Sequence, residues 1–249
     1  MNDRQEKIYH ILSELGSASI ASLKTQIYAS EATLRRDLAQ MEQEGLLIRT
    51  WGGAVSAAVR NSDPPVFVRD NTNVAAKNAI AQKAAEFVED HMTLFLASGT
   101  TVARLAKLLH RCRDLTCITN SLENAKALRE HLSAKIILPG GELYEQYDLI
   151  GSLAENTLSQ FYGDLCFFSC SGITAEGFSG MDLQRVSIID KMRQNSRKVI
   201  LLADTSKVGK QFTYKGFGFE GVDHVIMEKD PKDAALKKAL GKKLILAKG

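Results

Sequence analysis

At 249 residues the chain is long enough for one large domain, or for a small domain joined to a larger one. Its 45% hydrophobic and 24% charged content is that of an ordinary globular protein and excludes a disordered or fibrous chain. A formal charge of +3 is weak attraction for nucleic acid, no apolar run approaches the roughly twenty residues of a membrane span, and the start, Met-Asn-Asp-Arg-Gln-Glu-Lys, lacks a signal peptide's apolar core, so no membrane partner is expected and the cytoplasm is the expected compartment.

Ile8, Ile11, Leu12 and Leu15 recur at helical spacing up to Gly16, and Ile20, Leu23 and Ile27 form a second, shorter stripe. A third helix is expected from Ser30 to Gln43. Ser30 is its N-cap, Leu34, Leu38 and Met41 are its buried stripe, and Gly45 is its stop. Thr33, Arg35, Arg36 and Gln40 face away from that stripe. Leu46 to Trp51 then alternates as a strand does, with Gly52-Gly53 as the turn of a hairpin. Three short helices and a hairpin within about sixty residues make a winged helix-turn-helix, whose adjacent arginines suit a DNA groove with the wing beside it. The candidate DNA-contacting residues are Ser30, Thr33, Arg35, Arg36, Gln40, Arg49, Trp51 and Gly52. Over residues 1–60 seven basic and seven acidic side chains cancel, so affinity for double-stranded DNA rests on charge placement and on a dimer or tetramer engaging two half-sites.

From Ala57 to about Asn73 the periodicity fails around Asn61-Ser62-Asp63-Pro64-Pro65. The expected organisation is a DNA-binding domain at 1–57, a linker at 58–73 and an α/β domain at 74–249. Beyond the linker Ile80, Ala84, Phe87 and Val88 mark a helix. Strands are then expected at Thr93–Ala97, Leu115–Thr119, Lys135–Pro139, Leu165–Ser169, Lys198–Ala203, Asp223–Met227 and Lys243–Ala247. Helices are expected at Thr101–His110, Leu122–His131, Ile150–Phe161, Val186–Asn195 and Pro231–Leu240. This alternation is that of a Rossmann-like, mostly parallel sheet covered on both faces.

Small and hydroxyl residues follow the strands: Ser98-Gly99-Thr100-Thr101, Asn120-Ser121, Gly140-Gly141, Cys170-Ser171-Gly172 and Asp204-Thr205-Ser206-Lys207. Ligands of open α/β sheets bind at that edge, and Ser98 to Thr101 precedes a helix whose N-terminus suits a phosphate. The candidate effector residues are Ser98, Gly99, Thr100, Thr101, Asn120, Ser121, Gly140, Gly141, Gly172, Arg185 and Lys207. A phosphorylated sugar or a related small anion fits this lining. Cys112, Cys117, Cys166 and Cys170 read as reduced thiols. Cys166 and Cys170 would lie roughly 13 Å apart along a strand, too far for one ion, so neither metal nor cofactor is expected.

Thr33-Leu34-Arg35-Arg36-Asp37-Leu38 followed by Gly45-Leu46-Leu47-Ile48-Arg49-Thr50-Trp51-Gly52-Gly53-Ala54 closely resembles the DNA-binding signature of DeoR-type bacterial repressors. The strand-end motifs, with Gly151 and Val208-Gly209, resemble the landmarks of that family's effector domain. The resemblance implies a recognition helix around Arg35 and Arg36, a wing at Arg49–Gly53, and a fold related to ribose-5-phosphate isomerase and glucosamine-6-phosphate deaminase. It also implies a sugar-phosphate inducer and a homo-oligomer. Three places depart from the family pattern: Ala97 stands where an aspartate is common, Arg185 and Ile189-Asp190 where a glutamate and a lysine-arginine pair are common, and Met227-Glu228 where a Thr-Asp pair is common.

The favoured reading is a non-enzymatic repressor of a carbohydrate operon. Two alternatives stand beside it: a sugar-phosphate isomerase or deaminase with an accessory DNA-binding domain, and a regulator with a degenerate pocket. The enzyme needs a general base, for which Asp204 is the acidic residue in a strand-end loop.

Overall fold

The computed structural model describes residues 2–44, 46–56, 66–131, 134–144 and 147–247. The chain divides into two compact units, Met1–Thr72 and Asn73–Gly249.

In the first unit α1 (Asp3–Leu15) opens with a capping box. The Asn2 side chain accepts from the Arg4 and Gln5 amides, Gln5 returns a bond to the Asn2 amide, and Gly16 ends the helix in the left-handed region. A short strand β1 (Ser17–Ser19), not expected from the sequence, leads into α2 (Ile20–Ile27). Then α3 (Glu31–Gln43) follows, with Ser30 as its N-cap. The hairpin strands β2 (Leu47–Thr50) and β3 (Gly53–Ser56) join β1 in the order β1-β3-β2. Ile8, Leu12, Leu23, Leu34, Leu38, Met41 and Leu47 form the buried core, each removal from water contributing about 1.5–3 kcal/mol.

Three expectations change here. Leu15 is 61% exposed, because the helix ends beside it at Gly16. The hairpin turn is Trp51-Gly52, while Gly53 already pairs with Thr50 inside β3. Residues 66–71 of the expected linker form α4 (Val66–Asn71). The predicted stop at Gly45 and the start of the linker at 58–65 lie outside the described residues.

The second unit begins with α5 (Val74–Ala85). It continues through β4 (Thr93–Leu96), α6 (Thr100–Leu108), β5 (Thr116–Thr119), α7 (Leu122–His131) and β6 (Lys135–Ile137). A hairpin of β7 (Glu142–Tyr144) and β8 (Asp148–Ile150) precedes α8 (Ser152–Leu158) and β9 (Gly163–Ser169). Next come β10 (Gly172–Thr174), β11 (Gly177–Gly180), α9 (Leu183–Gln194), β12 (Ser196–Leu202) and β13 (Tyr214–Lys215). The order closes with β14 (His224–Met227), α10 (Ala234–Leu240) and β15 (Leu244–Leu246).

Seven strands form a parallel sheet in the order β15-β14-β12-β9-β4-β5-β6. Alternate residues enter two cores. Phe95, Cys166, Phe168 and Leu201 meet α8, α9 and α10, whereas Leu94, Leu96, Phe167 and Ile200 meet α5, α6 and α7. Burial on both faces explains the continuous apolar runs. Chain progression runs from β4 toward β6 on one side and from β9 toward β15 on the other, so the switch in direction falls between β4 and β9. The small sheets β7-β8 and β10-β11-β13 were not expected. Ile150, read as a helix start, ends β8 instead, and α8 starts at Ser152.

Candidate functional site

On the first unit, Ser30 Oγ accepts from the Thr33 amide at 3.2 Å and lies 2.8 Å from Thr33 Oγ1, fixing the N-terminus of α3. Arg35 is exposed, with Nη2 2.7 Å from Glu31 Oε1 one turn earlier. Arg36 is exposed and has no ion pair among the described residues. Gln40 accepts from Gln5 Nε2 and donates to Glu44, both at 3.0 Å, so its amide braces α3 against α1. Beside it Arg4 pairs with the buried Asp37.

On the hairpin, the Arg49 amide and Nε donate to the two oxygens of Glu42, each at 2.8 Å. These bonds hold the Glu42 carboxyl below its ordinary range. Trp51 is 91% exposed, and the Gly52 carbonyl accepts from the Ile20 amide at 2.7 Å. Gly53 is packed so closely on β1 that a Cβ would stand 2.0 Å from the Ala18 carbonyl oxygen. Arg35, Arg49 and Trp51 meet in one groove of about 540 Å³ between α3 and the hairpin, with Glu42 on its wall. Sequence reasoning missed the carboxylates Glu31 and Glu42. It also missed Tyr28, 93% exposed at the left-handed turn before α3.

On the second unit, the loops after β5, β4, β9 and β12 lie side by side at the carboxyl edge. Ser98 N–H donates to Asn120 Oδ1 at 3.1 Å, and Asn120 Nδ2 reaches the Leu149 carbonyl at 3.3 Å. Thr119 Oγ1 donates to the Leu96 carbonyl at 2.6 Å, and Asn124 Nδ2 to that of Ala97 at 3.0 Å. Ser121, buried, receives the Asn124 amide at 3.4 Å. These contacts hold the strand-to-helix loop in place.

Gly99, at φ 146°, lets that loop pass Ser169, whose Oγ would be 3.1 Å from a Cβ. The N-cap of α6 is Gly99, which has no side chain to cap the helix, so the N–H groups of its first turn, with the buried hydroxyls of Thr100 and Thr101, can receive an anion. Lys77, only 5% exposed, donates from Nζ to Thr100 Oγ1 at 2.9 Å. The sequence reading overlooked it, although its signal was visible: a lysine at the helical spacing of Ile80, Ala81 and Ala84.

Other expected residues are used by the fold. Gly141 passes the Ile150 carbonyl, which a Cβ would approach to 2.5 Å, and Gly140 abuts Leu153. Gly172 is a β10 residue pressed on the Lys210 carbonyl. Arg185 Nε binds Asp148 Oδ2 at 2.8 Å with its guanidinium over the Tyr144 ring. Half-buried Lys207 opposes the burial that pushes the Cys170 thiol up to about 12. Asp204 accepts from Asn73 Nδ2 and the Ser206 amide, each at 3.0 Å. Ala97, Ile189 and Met227 are core residues, and Glu228 accepts from the Thr205 amide and hydroxyl.

Residues 4–59 match the DeoR-like helix-turn-helix domain, and residues 72–229 match the DeoR C terminal sensor domain. The chain belongs to the DeoR family. DeoR-family relatives extend over nearly its whole length. The HTH-type transcriptional regulator GolR of Listeria innocua is 30% identical over 95% of this chain and 94% of its own. The putative aga operon transcriptional repressor of Escherichia coli O157:H7 is 28% identical over 96% and 91%. The L-fucose operon activator of Haemophilus influenzae is 34% identical over 84% and 85%.

Ribose 5-phosphate isomerase A of Methanocaldococcus jannaschii gives a TM-score of 0.42 at 16% identity over 56% of both chains. As a DeoR-family regulator the protein binds DNA and carries a sensor domain for a small molecule. No helix among the described residues is long and apolar enough to cross a membrane.

Proposed function

We propose that this DeoR-family regulator represses a carbohydrate-utilisation operon and leaves its operator when a phosphorylated sugar enters the crevice between β4 and β9. One observation carries the ligand class: the uncapped first turn of α6 has the ammonium of buried Lys77 on its Thr100 hydroxyl. Helix dipole and ammonium both favour an anion there. On this reading Ser98 and Thr101 meet sugar hydroxyls, and Asn120 holds the loop that carries Ser98. Operator contact falls to Arg35, which reads bases, and Arg36, which meets the backbone, with Arg49 and Trp51 on the wing, and a homo-oligomer places two such units on two half-sites. The name of the H. influenzae relative, an L-fucose operon activator, supports the pathway class, and that of the E. coli relative, a putative aga operon repressor, supports control of an operon.

The test is thermal stabilisation by a panel of sugar phosphates set against the same sugars without phosphate. Stabilisation confined to the phosphorylated members supports the reading. Equal effects, or none in either set, would sink it.

A further inference from the structure

The first helix of the sensor unit is tied to two of the crevice loops at once. Asn73, the N-cap of α5, donates from Nδ2 to Asp204 Oδ1 in the loop after β12. Lys77, four residues later on the same helix face, donates to Thr100 in the loop after β4. In the sheet β12 and β4 are separated by β9, so the two loops are roughly 10 Å apart. One helical turn, about 6 Å, plus the lysine stem spans that distance. The start of α5 therefore straps the mouth of the crevice.

The two ends of α5 are held differently. Ile80, Ala81 and Ala84 are fully buried against α6 and the sheet, which anchors the body of the helix. Residues 71–75 are exposed, and the Asn73 carboxamide ties the helix start to Asp204. Asn73 adopts φ 54°, a left-handed conformation uncommon for a residue other than glycine. The preceding chain is Thr72 and α4, the end of the DNA-binding unit.

We propose that Lys77 and Asn73 are positioning residues of a two-point relay: Lys77 senses an anion at Thr100, and Asn73 passes the change to the chain entering from the DNA-binding unit. The inference rests on the anion reading of the crevice. An anion on the first turn of α6 competes with Thr100 Oγ1 for the Lys77 ammonium. A shift of Lys77 moves the turn that carries Asn73, because the Lys77 amide is bonded to the Asn73 carbonyl at 3.0 Å.

Amide hydrogen exchange of the full chain tests this, with inorganic phosphate and ribose 5-phosphate as separate probes. In the wild type a probe is expected to slow exchange at Thr101–Ala103 and at Val66–Lys77 by about threefold or more. Asn73→Gly removes the carboxamide and keeps the left-handed backbone. It is expected to retain the slowing at Thr101–Ala103 and to lose it at Val66–Asn71. Asn73→Asp, which sets a carboxylate against Asp204, is the second variant and is expected to behave alike. Lys77→Met is expected to lose the slowing in both places. Slowing at Val66–Asn71 that persists in both Asn73 variants overturns the relay and leaves the anion reading standing. Absence of slowing at Thr101–Ala103 in the wild type with either probe overturns the anion reading, and the relay with it.

Discussion

Glu42 of α3 accepts twice from Arg49 of the hairpin, from its amide and from its guanidinium, both at 2.8 Å. The pair ties helix to hairpin and also occupies a cation that lines the groove between α3 and the hairpin. Arg35 is engaged similarly by Glu31. Binding to phosphate therefore exchanges one carboxylate partner for another anion. Glu42→Gln keeps an acceptor for the Arg49 amide and releases the guanidinium. Non-specific affinity for duplex DNA is expected to rise roughly two- to tenfold, with a steeper salt dependence, by fluorescence anisotropy across a salt series.

The same contact makes the wing acid-sensitive. Arg49's hydrogen bonds lower the folded-state pKa of Glu42 below the unfolded one. Its stabilisation is therefore complete above the unfolded glutamate value, about 4.3, and is lost as pH falls through the lower folded value. Trp51, the single tryptophan, lies on the same groove and reports the change. An emission transition below about pH 4 is expected in the wild type and not in Glu42→Gln. Identical titrations would show that the pair does not hold the wing.

Arg35 and Arg36 are expected to separate by role. Arg35 lines the groove, whereas Arg36 lies outside its lining. Arg35→Ala is expected to cost about 1–3 kcal/mol on selected operator fragments and little on random DNA. Arg36→Ala is expected to weaken both alike and to lower the salt slope by about one.

Where side-chain period decides an element, the sequence was readable. Leu34, Leu38 and Met41 reach the core as their spacing implies, and the seven parallel strands follow from apolar runs buried on both sides. The hairpin β7-β8 and the sheet β10-β11-β13 escaped because strands of two to four residues carry too little period and their pairing is set by distant partners. Gly140, Gly141 and Gly172 looked like ligand-loop residues, yet each is small because a neighbour passes close by. Lys77 was legible, as a charge on an apolar stripe, whereas its partner Thr100 was set by tertiary packing. Glu31 lies one turn before Arg35 and was also within reach of the sequence, but Glu42 meets Arg49 only after the wing folds back.

Gly53 shows the same lesson as a stability test. Read as a turn residue, it would owe its size to backbone conformation rather than to packing. A Cβ there would instead stand 2.0 Å from the Ala18 carbonyl oxygen and 2.8 Å from Ser19 Cα. Gly53→Ala is expected to cost at least about 1–3 kcal/mol in the unfolding of the DNA-binding unit, because backbone must move. Gly52→Ala, with nothing within 4 Å, is the control and is expected to change stability far less.

Arg185 distinguishes a structural cation from a ligand-binding one. Its side chain is 12% exposed and its partner Asp148 6%, in a contact that fastens the β7-β8 hairpin to α9. Arg185→Ala strands the Asp148 carboxylate and is expected to cost about 3–5 kcal/mol by denaturant unfolding. Replacing both, Arg185→Met with Asp148→Leu, removes the stranded charge and is expected to restore most of that loss. The double variant then reports on the ligand. If its stabilisation by sugar phosphates matches the wild type, Arg185 serves the hairpin and Lys77 supplies the charge at the crevice. If stability returns and the phosphate response does not, Arg185 leaves Asp148 to bind the anion.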